Sequence, residues 1–298
     1  MKVFLIYITL FFNIVLTKNL TLHDYDNPSA NHILDVEIIH NLLIVSGMIG
    51  GIEFYNIQNP ETLNHLDNLQ LSGGGGQGGG GGTKPNCIVA SGIDYAYVTT
   101  NRGLGVINIS NPFNYLGIVP GTDDYILEDL DTEGDFLAVA AHEDGTLLFD
   151  ISNPENPQFL FSLEGNNVWT VHLDNDGLND YLYVGDQNSL NIYTIITDSF
   201  GEFLDCSLLS SINLSNSIKD IETAHNLFHV FVALGSDGIV LIDYNLDSDS
   251  CNILGEYNTS TLAHKIDFFS EMTGNHLAVS DWDDVEIIEW DGSNLNLV

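Results

Sequence analysis

The chain has 298 residues, 44% hydrophobic and 10% aromatic, enough apolar material for one large repeat domain or two ordinary ones and too much for global disorder. Six basic residues stand against 42 acidic ones, a formal charge of −36. Such a surface repels phosphate backbones, which excludes nucleic acid as a partner, and it favours solubility, salt tolerance and the attraction of divalent cations.

In chain order, the first feature is Lys2 followed by a nearly unbroken apolar run from Val3 to Leu16, interrupted only by Thr9 and Asn13. The run is too short to span a bilayer comfortably and has the form of an export signal. The expectation is a signal peptide over residues 1–18, a secreted, periplasmic or cell-surface protein, and no transmembrane span after the signal.

From there on the sequence repeats itself. Gly51-Ile52-Glu53-Phe54-Tyr55-Asn56-Ile57-Gln58-Asn59-Pro60 is followed by near-copies at Gly103–Pro112 and Gly145–Pro154, and by weaker ones starting at Ser189, Gly238 and Asp284. The spacings are 52, 42, 44, 49 and 46 residues, and the first falls to 42 without the ten-residue tract Gly73–Gly82. Repeats of about 40–50 residues built from short strands mark the blades of a propeller.

Each unit has the same internal order. An early strand (Asp35–Ile38, Asp129–Asp131, Asp220–Glu222) precedes a β-rich second one (Leu42–Val45, Ala96–Thr99, Phe136–Ala140, Tyr181–Val184, Phe228–Val232, His276–Val279). The repeated stretch is the third strand, and segments such as Leu66–Leu71 and Phe159–Leu163 form the fourth. The predicted fold is all-β, a propeller of six blades with four antiparallel strands each, in one domain over 19–298, with repeats starting near 32, 86, 126, 167, 217 and 263. After the third strand, proline pre-sets a turn and cannot donate to a ladder. Asn56, Asn108 and Asp150, three residues before the Asn of each Asn-Pro, each sit between two apolar residues, the alternation expected of a strand packed between neighbouring blades.

The sequence Ile-Ser-Asn-Pro after an alternating strand, with Leu137-Ala138-Val139-Ala140 or Leu43-Ile44-Val45-Ser46 in the strand before, resembles the LVIVD-repeat family of secreted or surface β-propellers. The resemblance runs from about Ile33 to the end. It is strong in the first three units and degenerate in the last three, where Asn-Pro is lost. It implies the fold and an extracytoplasmic setting, and it carries no catalytic residues. The last unit reaches only Asn294–Val298, so Leu20–Tyr25 is expected to complete the final blade and close the ring; the alternative is a fragment with further blades to follow.

The sharpest local signal is His172-Leu173-Asp174-Asn175-Asp176-Gly177-Leu178-Asn179-Asp180. Carboxylates of Asp174, Asp176 and Asp180 with a carbonyl near Leu178 suit a structural Ca2+, Gly177 allowing the bend. The stretch resembles the calcium loops of integrin-type FG-GAP repeats, with His172 where the first Asp would stand. Without a ligand the same residues make a solvated turn.

A second set lies in the turns between second and third strands: Met48, Arg102, His142, Glu143, Asp144, Asp186, Asp237, Trp282 and Asp283. Of these Arg102, His142, Asp144, Asp186 and Trp282 combine charge and aromatic surface in a way that suits a sugar or peptide. The acidic first-strand column Asp35, Asp129, Asp220 is expected to accept hydrogen bonds from a neighbouring blade, with Lys265 in the same column and Lys219 beside it supplying charge pairing; a central metal is the alternative. Cys206 and Cys251 fall on outer strands that diverge, so no bridge is expected, and Cys87 reads as a small buried side chain. The glycine tract lacks a phosphate-binding context.

These features point to a non-catalytic exported propeller that binds or scaffolds an extracellular protein or glycan, as a monomer, with Ca2+ as a structural cofactor. The alternative is a secreted hydrolase or lyase acting on a glycan or lactone.

Overall fold

The structure is a computed structural model that describes residues 32–47, 51–59, 61–71, 83–224, 228–245, 248–271, 274–282 and 284–298. Residues 1–18, where an export signal is expected, Leu20–Tyr25, Met48, the Gly73–Gly82 tract and Asp283 lie outside the described residues.

Among the described residues twenty-four strands form six sheets. The first sheet is β1 (Ile33–Ile39), β2 (Leu42–Gly47), β3 (Gly51–Asn56) and β4 (Asn64–Leu69), and the second is β5 (Pro85–Ser91), β6 (Tyr95–Thr100), β7 (Gly103–Asn108) and β8 (Asn114–Ile118). The third is β9 (Asp129–Glu133), β10 (Phe136–Ala140), β11 (Thr146–Asp150) and β12 (Gln158–Leu163), and the fourth is β13 (Val168–Asn175), β14 (Asp180–Asp186), β15 (Ser189–Thr197) and β16 (Phe203–Asn213). The fifth is β17 (Asp220–Thr223), β18 (His229–Ala233), β19 (Ile239–Asn245) and β20 (Ser250–Tyr257), and the sixth is β21 (Ala263–Glu271), β22 (Gly274–Asp281), β23 (Asp284–Trp290) and β24 (Leu295–Leu297). Every sheet is antiparallel and takes its four strands in sequence order. Among the described residues no helix is long and apolar enough to cross a membrane.

The chain forms two compact units. One holds the first two sheets together with Asn153–Pro157, and the other holds the remaining four. Within each, the second and third strands are the most buried, which is why Phe136–Ala140 reads as an unbroken small-and-apolar run while fourth strands such as Asn64–Leu69 stay exposed. Neighbouring sheets share their cores. Ile44, Ile52 and Phe54 pack with Ile88, Ala96 and Val98 in the first unit. In the second, Ala138 and Leu148 pack with Val171 and Leu182, and Tyr183 and Leu190 with Ile221 and Val230.

The glycine that opens the repeated stretch has a steric reason. Gly51, Gly145 and Gly238 have φ of 84°, 83° and 73°. A Cβ there would lie 2.4, 2.0 and 2.1 Å from the carbonyl oxygens of Leu69, Leu163 and Tyr257 on the fourth strand. The polar residue near each Asn-Pro also has a local role. Asn56, Asn108 and Asp150 close otherwise buried third strands, and their Oδ1 atoms accept the backbone N–H of Gln58, Ser110 and Ser152 at 2.9, 2.9 and 2.7 Å. These are Asx turns that start the turn after the strand. Cys87 is buried, and its Sγ donates to Asp35 at 2.9 Å.

Candidate functional site at the first strands of the second unit

A strand at the inner edge of a sheet has one row of backbone groups without a ladder partner. Here carboxylates on the preceding first strand fill that role. Asp129 and Asp131 on β9 accept the N–H of Val171 and Leu173 on β13 at 3.3 and 2.8 Å, and Asp220 on β17 accepts that of Ile266 on β21 at 2.8 Å. In the first unit Asp35 and Glu37 on β1 do the same for Ile88 and Ala90 on β5, at 2.9 and 3.3 Å. The acidic column is therefore a set of side-chain acceptors for the neighbouring strand, as the sequence implied.

In the second unit these carboxylates also pair with cations, row by row. The Lys265 ammonium lies 3.0 Å from Asp129 and 3.2 Å from Asp220, and Thr170 donates to Asp129 at 2.7 Å. Burial pushes the Asp220 carboxyl up, the Lys265 charge opposes this, and Asp129 adds to it. One row along, His172 Nδ1 is 3.0 Å from Asp131, while Nε2 is 3.1 Å from Thr223 Oγ1 and 3.9 Å from Glu222. Thr223 passes the chain on to Asp174 at 2.5 Å. Burial works against a charged His172, but Glu222, Asp131 and Asp174 outweigh it and raise its pKa to about 10. Glu222 is pushed up to about 8 by burial, with His172 opposing and Asp267, Asp131 and Asp220 adding. A cation between carboxylates is the arrangement a central metal would need, and Lys265 and His172 occupy that role.

The residue immediately before the first row is treated differently. The β13–β14 register jumps from Val168 to Thr170, and the β21–β22 register from Ala263 to Lys265. Trp169 and His264 are thus bulge residues, left out of the ladder. Glu128 and Lys219 hold the same place before Asp129 and Asp220, with their N–H groups on Ala140 and Ala233 at 2.9 and 2.8 Å. In this unit the residues immediately before Trp169, Lys219 and His264, namely Val168, Ile218 and Ala263, are all buried.

These residues and the turn beside them form an aromatic and basic cluster. His142 sits at φ 52°, in the left-handed region, and its backbone exchanges bonds of 3.2 and 2.9 Å with Val168. Its ring meets Trp169 edge-on, with centroids 5.4 Å apart. The Lys219 ammonium is 5.1 Å from the centre of the Trp169 ring, a cation–π contact. The Lys219 stem passes over Gly235, where a Cβ would lie 3.8 Å from its Cε. Gly235 and Ala263 exchange backbone bonds of 3.1 and 3.0 Å, which places His264 next along the chain from that bridge. Burial, then Lys265 and Lys219, disfavour a proton on His264. Burial raises the Glu128 carboxyl, with His142 opposing.

Of the residues singled out in the sequence, His142 belongs to this cluster. Asp186 serves as a clamp: its carboxylate accepts the N–H groups of Asn166 and Asn167 at 3.1 and 2.8 Å. Asp281 repeats this on Thr261 at 2.7 Å. Asp144 is exposed in its turn and Arg102 is exposed in the β6–β7 turn of the first unit. Trp282 is 75% exposed. It stands beside Asp281, Asp284 and Glu286, whose oxygens lie within 4.8 Å of one another. Tyr257, Ser260 and Thr261 donate into two of these carboxylates.

In the loop suggested for calcium, Asp176 Oδ1 accepts from Leu178 and Asn179 N–H at 2.8 and 2.7 Å, and Oδ2 accepts from Tyr181 OH at 3.1 Å. Those donors outweigh burial and hold its carboxyl below the usual range. Asp180, half-buried at the start of β14, is raised by burial and by Asp176. Asp174 faces Thr223, and the Leu178 side chain is exposed.

Sequence reasoning missed Trp169, His264 and Glu128, and it read Lys219 only as charge balance. The available signal was positional: each is the residue between a buried apolar side chain and the polar column. Because its identity changes from blade to blade, it leaves no trace in the repeat.

Six sheets of four consecutive antiparallel strands define a β-propeller. The chain carries LVIVD repeats: the model of that repeat matches residues 86–115 and 128–164, in agreement with the resemblance drawn from the motif. No curated protein matches the chain. Among solved structures, a candidate 6-phosphogluconolactonase from Bacteroides uniformis is 10% identical with a TM-score of 0.69, covering 92% of this chain and 86% of its own. A protein from Lactobacillus plantarum is 15% identical with a TM-score of 0.67, covering 89% and 83%. The computationally designed Ika8 protein is 13% identical with a TM-score of 0.61, covering 88% and 72%. At these identities the likeness is one of fold.

Proposed function

We propose that this chain is an exported, non-catalytic β-propeller that works as a binding or scaffold module outside the cytoplasm, on a partner that is an extracellular protein or glycan. The observation that carries the reading is the division of labour in the first strands. The strongly shifted groups of these strands are engaged within the fold, His172 with Asp131 and Glu222, and Asp220 with Lys265 and the Ile266 N–H, so they stabilise it. The residues left out of the ladder, Trp169 and His264, with Lys219 beside them, have the chemistry of recognition. The export signal and the charge of −36 support an extracytoplasmic setting. The test is an array of extracellular glycans and proteins probed with the purified chain, with and without Ca2+. Saturable binding without turnover is expected, and turnover of a bound glycan or lactone would overturn the reading.

Calcium enters as a structural ion at Asp174, Asp176, Asp180 and the Leu178 carbonyl. Binding there requires Asp176 to exchange its loop donors for the cation, so the affinity is modest. A thermal shift on adding Ca2+ that is lost in Asp180→Asn supports it; no shift and no calorimetric heat removes it. The one feature that favours a hydrolase or lyase is the raised Glu128 carboxyl beside His142, a pairing suited to proton transfer. Turnover abolished by His142→Ala is the outcome that reading requires.

A further inference from the structure

We propose that the bulged cluster of the second unit, Trp169, Lys219 and His264 with His142 against the indole, is a binding site for a small cyclic organic monocarboxylate. This rests on the binding-module reading and gives it a site and a ligand class.

The charge of Lys219 is the first argument. The chain has six basic residues against 42 acidic ones; Lys219 immediately precedes β17, and Lys265 lies on the neighbouring first strand β21. Lys265 is held by Asp129 and Asp220. Among the described residues no carboxylate is within ion-pair distance of the Lys219 ammonium, which rests instead over the Trp169 ring. An ammonium held against an indole with no carboxylate at ion-pair distance leaves Coulomb energy to be gained. A ligand carboxylate restores it.

The second argument is the local fold. Trp169 and His264 both occupy bulges, and bulges re-aim a side chain without disturbing the ladder on either side. His142, in the left-handed region, is held by two backbone bonds to Val168 and so fixes the edge of the indole. Lys219 and His264 flank the Gly235–Ala263 bridge. Burial, then the Lys265 and Lys219 ammonium groups, disfavour a proton on His264, whose ring offers a hydrogen-bonding partner beside Lys219.

Charge and shape then define the ligand. One ammonium matches one negative charge, and the acidic surface rejects polyanions. Glu128, on the other side of Trp169 in strand order, repels a second carboxylate and can accept from a hydroxyl. The indole offers apolar surface for a ring.

The test uses the purified chain, with cyclohexanecarboxylate as probe, its neutral carboxamide and the trianion citrate as comparators, and calorimetry with intrinsic tryptophan fluorescence as readouts. The carboxylate is expected to bind saturably, and the carboxamide and citrate at least about tenfold more weakly. Lys219→Met should weaken the carboxylate by at least about tenfold at unchanged melting temperature, and Lys219→Arg should retain binding within a few-fold. Absence of saturable carboxylate binding, equal binding of the carboxamide, or equal binding by Lys219→Met overturns the proposal. Array ligands that still bind Lys219→Met would overturn this site alone and leave the binding-module reading intact.

Discussion

Asp129, Thr170, Asp220 and Lys265 differ from the residues one step earlier on the same strands, Glu128, Trp169, Lys219 and His264, in almost every physical respect. The first row is in register, largely buried and closed on itself: two carboxylates, one ammonium and one hydroxyl satisfy each other and two backbone N–H groups. In the second row Trp169, Lys219 and His264 each follow a buried apolar residue in the chain, and two of the row's members stand in bulges. A shift of one residue separates groups that hold strands together from groups available to something else. The polar character of a first-strand residue therefore says little about its role until its register is known.

The sharpest way to break this contrast is to remove the cation from the closed row. Lys265→Met leaves Asp129 and Asp220 facing each other without compensation. Because the ammonium is 41% exposed, solvent softens the loss to about 2 kcal/mol, below the range for a fully buried pair. Chemical denaturation should show that drop, and adding Asp220→Asn should return part of it. An unchanged midpoint would mean the row does not hold the strands.

The next row should respond to pH. Folded Glu222 keeps its proton to about pH 8 instead of the usual 4.5, and folded His172 keeps its proton to about 10 instead of 6.5. In both windows the folded state binds more protons than the unfolded one, so stability falls as pH rises, first across 4.5 to 8 and then across 6.5 to 10. The melting temperature should decline from pH 5 to pH 9. Glu222→Gln should flatten the decline between pH 5 and 8, and it should also move the His172 portion to lower pH, because Glu222 is one of the carboxylates that raise it. An identical slope in the variant would refute the assignment.

Smaller effects should follow away from the column. Asp186→Ala removes the acceptor for Asn166 and Asn167 and should cost about 1 kcal/mol, read as a few degrees of melting temperature. Lys219→Met should stay within about 0.5 kcal/mol, since it belongs to no closed network. That near-neutral result, against the loss at Lys265, is the finest test of the contrast between the rows.

Much of the architecture was legible from a single motif. Glycine before the third strand, alternation within it and Asn-Pro after it located six third strands, and the other strands followed from composition. The role of Asp35, Asp129 and Asp220 was legible too, because a buried carboxylate on an inner strand must find donors. The Asx turns at Asn56, Asn108 and Asp150 were not legible, because alternation does not reveal where a strand stops. Asp186 looked like a ligand-binding group for the opposite reason: its partners, Asn166 and Asn167, are 20 and 19 residues away in sequence. Trp169, Lys219 and His264 stayed hidden because a bulge breaks the period on which sequence reading depends.

The bulge also separates heredity of fold from heredity of specificity. A residue outside the ladder can be exchanged without shifting the register of either flank, so Trp, His or any other side chain can be tried at 169 or 264 while the hydrogen-bonded frame stays as it is. The first strands thus behave as a row of single-residue cassettes. A library randomised at 128, 169, 219 and 264 would sample recognition surfaces on an unchanged scaffold, and drift at these four codons would give related chains different ligands sooner than different folds.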